Sequence, residues 1–377
     1  MTDTETGRFA NLFSPARIGG VALGNRAAVA PMTRISAGPG GLATDAMAAY
    51  YAGYAKGGFG LVITEGTYID EAHSQGYVDQ PGIANDAQRA SWRKVADAVH
   101  AEGVPIFMQL LHAGALIQHN DYVDQAVAPS AVEPVGEMAP HYKGAGRFPV
   151  PREISRREMK DVAAAFGAAA LRAVEAGFDG VEIHGANGYL ADQFLTDYTN
   201  RGDDDYGGPT ARRVRYHTEI VAAVKQALDG RAPFGIRISE TKVNDLAHSW
   251  ANGVNDARTI FGAIGESGPS YIHVNAHRGF EPVFGTGKSL ARLAREAAPR
   301  EVRIVACGKL NDPSLADAML GDGTADAAAI AKGALADPSW PRKVARGEAP
   351  AAFDPAMLRP YATLENVRRW RAGGAPG

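Results

Sequence analysis

Three hydrogen-bonding side chains stand close together in VEIHGANGYL (181–190): His184, Asn187 and Tyr189, with glycines at 185 and 188. Each alone is ordinary for a turn, but three converging where a strand-like alternation ends mark a site. Arg237 stands inside the apolar run FGIRIS, and Gln109 inside IFMQL. A lone buried guanidinium is expensive, so Arg237 must be paired or bound to something. Together Arg237 and Gln109 offer donors suited to a flat, carbonyl-rich heterocycle. Two further apolar runs lead into Gly308-Lys309 and Lys332-Gly333. Glycine lets backbone N–H groups approach a phosphate, and lysine adds a point charge. The residue types suggest recognition of a phosphate-bearing ring, with the 184–189 trio beside it.

Residues this far apart need a fold that gathers them. Short apolar or β-branched runs recur at 27–32, 60–66, 105–110, 180–185, 233–239, 270–276, 302–308 and 327–333. Helical patterns fill the gaps at 45–57, 86–102, 155–176, 210–228, 254–266, 288–298, 313–320 and 339–346, and Ser155 with Glu158 forms a capping box. Eight alternating units predict a single α/β domain, a (β/α)8 TIM barrel. Residues 1–26 are expected to form an arm and a hairpin capping the barrel bottom, 27–348 the barrel, and 349–377 a C-terminal tail. Links from helix to strand are terse. Those from strand to helix, at 67–85, 111–154, 186–209, 240–253 and 277–287, are long. They leave the carboxyl ends of strands, where barrel enzymes keep their active sites, and loops seven and eight are the usual phosphate site. A doubly wound dinucleotide fold would need GxGxxG, which is absent. FGTGKS (284–289) is no P-loop, because Pro282 stands where the first glycine belongs.

Composition narrows the classes. At 377 residues, 45% hydrophobic and 21% charged, the chain is enzyme-sized and globular. A net charge of −3 offers no field for nucleic acid. No run approaches the roughly 18 apolar residues of a membrane span, and MTDTETGRFA has no signal-peptide core. Cys307 is the only cysteine, which excludes an intrachain disulfide and a cysteine-rich metal site. The histidines lack ligand spacing, so no metal is expected, and a reducing, cytoplasmic setting is.

The motifs NRAAVAPMTR, LVITEGTYI, FMQLLHAG, AGFDGVEIHGANGYLADQFL, NRGDDDYGG, FGIRIS, VACGKL and IAKGALADPSWPRK resemble the Old Yellow Enzyme family over residues 11–346. The resemblance implies an FMN-dependent NAD(P)H oxidoreductase, with FMN lying across the mouth of the barrel. It implies ring contacts from Pro31, Met32, Thr33, Gly66 and Gln109, the Thr33 hydroxyl donating toward flavin O4. Arg237 resembles the residue that stabilises charge at the N1/O2 end of the reduced ring, and Gly308, Lys309, Ala331 and Lys332 fall at the phosphate. His184 and Asn187 resemble the pair that grips a substrate carbonyl or phenolic oxygen over the flavin. Tyr189 is similar to the proton donor, and Ile35 occupies a position where one branch carries a tyrosine. The implied activity is reduction of the activated C=C bond of α,β-unsaturated carbonyl compounds, with hydride from flavin N5 and the proton from Tyr189.

Several positions depart from the family. Ala331-Lys332 replaces the usual Gly-Arg, which removes bidentate phosphate geometry, and Gly202 replaces an arginine, with Arg201 one place earlier. Other readings of the same fold stay open: a flavin-dependent dehydrogenase or isomerase, or a non-catalytic FMN- or phenol-binding barrel. The tail arginines Arg368, Arg369 and Arg371 suggest a homodimer contact, against the blander reading of a solvated tail. Glu182 shares parity with His184 and is expected inside the barrel in a structural ion pair. Gly185 and Gly188 are expected to let the chain turn so that Tyr189 reaches the substrate.

Overall fold

A computed structural model describes residues 7–373. Eight parallel strands close a ring: β1 (Ala27–Val29), β2 (Leu61–Ile63), β3 (Ile106–Leu111), β4 (Gly180–His184), β5 (Phe234–Ser239), β6 (Tyr271–Asn275), β7 (Arg303–Cys307) and β8 (Ala327–Ile330), with β8 returning to β1. The expected barrel is the fold. Alternation sorts each strand between two cores. In β5, Ile236 and Ile238 pack outward against the helices, which turns Arg237 inward; in β3, Met108 and Leu110 do the same for Gln109. The lower lumen is apolar, and Ile18 and Leu23 of the hairpin Ala16–Ile18/Val21–Leu23 plug it beside Leu61, Phe107 and Val305. The upper lumen is polar. Register sets His184 opposite Arg237, and Arg237 opposite His273.

The Ser155–Glu158 capping box starts the helix Arg156–Glu175 as its sequence requires. Four elements differ from expectation, the first being the strand expected over 27–32, which ends at Val29. The helix expected over 210–228 is two, Thr210–Arg213 and Arg215–Leu228. Its first turn is tied elsewhere, by Thr210 Oγ1 donating to Asp256 at 2.6 Å. The strand expected over 60–66 stops at Ile63, because Glu65 turns in to accept the Arg34 backbone N–H at 2.7 Å. The strand expected over 327–333 stops at Ile330, and Lys332–Ala336 forms a helical turn. The run AAAIAKGALA has one β-branched residue, so nothing local holds its second half extended.

Residues of the tail dock on the barrel. The helix Leu364–Arg371 is fixed by Leu364 N–H to Ser36 Oγ at 2.9 Å and by Arg371 Nη2 to Leu335 O at 2.7 Å. Arg368 and Arg369 both pair with Glu365, so each of the three arginines has a partner within its own chain. Among the described residues no helix is long and apolar enough to cross a membrane, and no group of three acidic, histidine or cysteine side chains is arranged to hold a metal.

His112, just past β3, is buried, and burial holds its imidazole down to about 4. The folded state therefore resists a proton that the unfolded chain takes up near 6.5, so stability is lost as pH falls through that window. Between pH 7 and pH 5 this group alone costs about 2 kcal/mol. Urea unfolding at both pH values checks it: the acid loss shrinks by that amount in His112→Gln, and an unchanged slope would count against this assignment.

Candidate active site

At the carboxyl ends of the strands two confluent cavities, of about 330 and about 260 Å³, share Asn187, Arg237, Val243, Ala331 and Lys332. Pro31, Met32, Thr33, Gly66, Gln109, His184 and Tyr189 line the first, while Gly308 and Lys309 line the second. Residues from all eight strand ends and their loops thus meet in one elongated cleft. Ile35 does not line it. It is buried with Tyr77, Leu111 and Tyr189 in an apolar cluster behind the cleft wall, at a backbone φ of 35°. A depression of about 510 Å³ at the opposite end of the barrel, between Phe13, Phe59, Pro105 and Pro341, contains none of the polar lumen residues.

The floor of the cleft is a buried charge network. Glu182 accepts from Gln109 Nε2 at 2.7 Å, Tyr271 at 3.0 Å and His273 Nδ1 at 2.8 Å. Burial pushes its carboxyl up, but the His273 charge and these bonds outweigh burial and hold it down. The same pairing raises His273 against the opposing effect of burial. Glu182 is thus in the interior ion pair expected of it. Gln109 is corrected in part: Glu182 commits one of its amide hydrogens, so it offers the cleft an acceptor oxygen as well as a donor. With Arg237 beside the pair, the floor carries a net positive charge.

Above the floor stands the trio. His184 Nδ1 accepts the Ala186 N–H at 3.3 Å, which places the ring's proton on Nε2. Burial lowers its pKa far below the ordinary value, and the Arg237 and His273 charges lower it further. The ring is neutral, and Nε2–H faces the Asn187 amide nitrogen at 3.5 Å. Two donors therefore point at one region. Tyr189 packs edge-on against His184 at 4.7 Å, and burial raises its pKa, so it stays protonated.

The two glycines act differently from each other. Gly188 turns the chain at φ 87°. Gly185 sits at ordinary φ and is needed for closeness: a Cβ there would lie 2.9 Å from His217 and 3.1 Å from the Arg237 carbonyl. The turn is locked below by Asp192, which accepts the Gly188 N–H at 2.7 Å and both its oxygens pair with Lys242 Nζ at 2.7 and 2.8 Å, fully buried.

Sequence reasoning missed Tyr77, Tyr142, Glu65, Lys242 and Asn275. Tyr77 hydroxyl meets Tyr189 hydroxyl at 2.5 Å, and this bond favours the ionised form of Tyr189. Tyr142 leans on Tyr77 at 5.0 Å and reaches the Thr33 side chain. Glu65, pushed up to about 7 by burial, anchors the 31–34 segment through Arg34. Only Asn275 carried a signal, since it continues the lumen parity of Tyr271 and His273.

The site suits a flavin nucleotide. Arg237 Nε is buried without a partner among the described residues, a donor left over beside the cleft. Gln109 adds hydrogen-bonding groups, and two lysines stand at the far end. A barrel with this mouth defines a flavin-dependent oxidoreductase. Residues 11–350 match the model of the NADH:flavin oxidoreductase / NADH oxidase family, and the chain belongs to that family, the Old Yellow Enzymes. The structure of the Old Yellow Enzyme homologue from Zymomonas mobilis superposes with a TM-score of 0.83 at 30% identity, over 94% of this chain and 99% of that one. The NADH oxidase of Thermoanaerobacter brockii is 32% identical over 90% of this chain and 51% of its own, so the chain spans about half that relative's length. A probable flavin mononucleotide-dependent alkene reductase of Leishmania infantum is 40% identical over 60% of this chain and 63% of its own.

Proposed function

We propose that the protein is an FMN-dependent ene-reductase that takes electrons from NAD(P)H and reduces the activated C=C bond of α,β-unsaturated carbonyl compounds. One observation carries the reading: two neutral donors, His184 Nε2–H and Asn187 Nδ2–H, stand beside a buried phenol that is itself hydrogen-bonded to a second phenol. Pro31, Met32, Thr33, Gly66, Gln109 and Arg237 would hold the flavin ring, and Gly308, Lys309, Ala331 and Lys332 its phosphate. Reduced FMN, when bound, supplies hydride for the substrate β-carbon.

The chain does the rest. The substrate carbonyl oxygen accepts from His184 and Asn187, and those bonds strengthen as the oxygen gains enolate charge, each donor lowering the barrier by about 3 kcal/mol. A neutral imidazole suits this work, because it donates without surrendering a full proton to the oxygen. Tyr189 gives its proton to the α-carbon, and Tyr77 donates to the phenolate oxygen as it forms. Tyr142 and Phe148 line the cleft beside the pair. A supplied acid favours net reduction over dehydrogenation or isomerisation. The single, buried thiol suits a reducing compartment such as the cytoplasm.

Purified protein supplied with FMN is expected to be yellow, to bleach under anaerobic NADH or NADPH, and to regain colour with 2-cyclohexenone. A yellow protein that neither coenzyme bleaches supports a binding barrel instead. Bleaching that no enone reverses defeats the ene-reductase assignment.

A further inference from the structure

Asn275 ends β6 on the lumen side, and its amide stands between Arg237 and Asn187. Arg237 Nη2 donates to Asn275 Oδ1 at 2.9 Å, and Asn275 Nδ2 donates to Asn187 Oδ1 at 2.9 Å. A guanidinium has donors only, so Asn275 turns its oxygen toward Arg237 and its nitrogen toward Asn187. Asn187 then turns its own oxygen toward Asn275, which leaves Nδ2 facing His184 and the cleft.

Among the described residues, nothing else in the site selects that orientation. The Asn187 backbone, at φ 63°, is held by its N–H to Ser239 Oγ at 2.8 Å and by its carbonyl to Val243 N–H at 3.1 Å. The freedom left is rotation of the amide, whose two ends have nearly the same shape. Turned over, Asn187 would offer Oδ1 to the His184 Nε2–H now 3.5 Å from its nitrogen. The two donors would then satisfy each other, and a substrate oxygen would meet neither.

We propose that Asn275 is a positioning residue that transmits the donor-only character of Arg237 to Asn187 and keeps the two cleft donors from pairing with each other. It rests on the reading of His184 and Asn187 as the oxygen-binding pair, and adds what holds that pair open. The ligand class it prepares for carries a carbonyl or phenolate oxygen able to accept two hydrogen bonds, met by groups arranged before it arrives.

Two variants test it in FMN-loaded protein. Asn275→Asp keeps the shape but offers only acceptors, so Asn187 turns Nδ2 toward it and Oδ1 into the cleft. Asn275→Leu removes both bonds and leaves the Asn187 amide free. Dissociation constants for a para-substituted phenol and for nicotinamide, read from the flavin spectrum, are expected to rise about tenfold or more in Asn275→Asp and by less in Asn275→Leu. Native affinity in Asn275→Asp, or a larger loss in Asn275→Leu, overturns the proposal. So does weaker phenol binding with nicotinamide unchanged, the mark of added negative charge rather than a turned amide. Should Asn275→Asp lose its flavin, Asn275→Leu decides: a loss of about threefold is expected, and none overturns it. If the native protein answers to neither ligand, the oxygen-binding pair itself fails and the relay with it, an outcome distinct from a changed ranking among variants.

Discussion

Replacing His184 and Asn187 together by alanine is expected to lower kcat/KM for a cyclic enone by roughly 10⁴-fold and to abolish the long-wavelength band that phenols raise on the flavin. The magnitude follows from where the charge goes. The carbonyl oxygen is nearly neutral in the bound substrate and becomes an enolate in the transition state, so donors aimed at it act mainly on the barrier. Both sit in a buried site above a positive floor, where hydrogen bonds to developing charge are strong. The single variants are expected to lose less than half of the combined free energy each if the remaining donor can still find the oxygen. Because burial and the nearby Arg237 and His273 charges keep His184 neutral, the rate carries no inflection near pH 6.5 from this residue. A double variant that keeps a tenth of native kcat/KM, with phenol binding intact, would remove the pair from the mechanism.

Tyr189→Phe has the second large effect, and it separates the two halves of the cycle. Reoxidation of reduced flavin by the enone is expected to slow by about 10²- to 10⁴-fold, the range of a lost general acid, while bleaching by NAD(P)H changes little. The phenol is buried, its pKa is raised, and among the described residues its only hydroxyl partner is Tyr77 and no other group stands ready to supply the proton. Tyr77→Phe is expected to give a smaller loss, about tenfold, in the same half-reaction, since it removes one bond to the forming phenolate. Stopped-flow absorbance of each half-reaction measures both. Equal slowing in the two halves would show that Tyr189 shapes the cleft and is not the acid.

The residues that carry these predictions differ in how they could be found. Arg237 was legible because a charge inside FGIRIS is costly unless it is used, and Glu182 because strict alternation gives it the parity of His184. Lys332 was placed on the wrong element, since AAAIAKGALA suits either state and only the contacts of Leu335 and Asp337 with the preceding turn decide it. Ile35 lies at a matching position, yet it packs behind Tyr77 and Tyr189, because the cleft wall at that point is built from the long loops. Tyr77 and Tyr142 sit on loops with no periodicity, where neither spacing nor residue type singles out one tyrosine from another.

The barrel itself was determined by the sequence alone: apolar runs of strand length, helices between them, terse links below and long links above leave few other ways to bury both faces. So was the inward set of Gln109, Glu182, His184 and Arg237, because parity along a strand is local. Tertiary structure alone decided which atom each group presents. The tautomer of His184, the orientation of Asn187, and the partner of Tyr189 depend on bonds between residues as far apart as Tyr77 and Tyr189 or Asn187 and Asn275, which come together only when the ring closes.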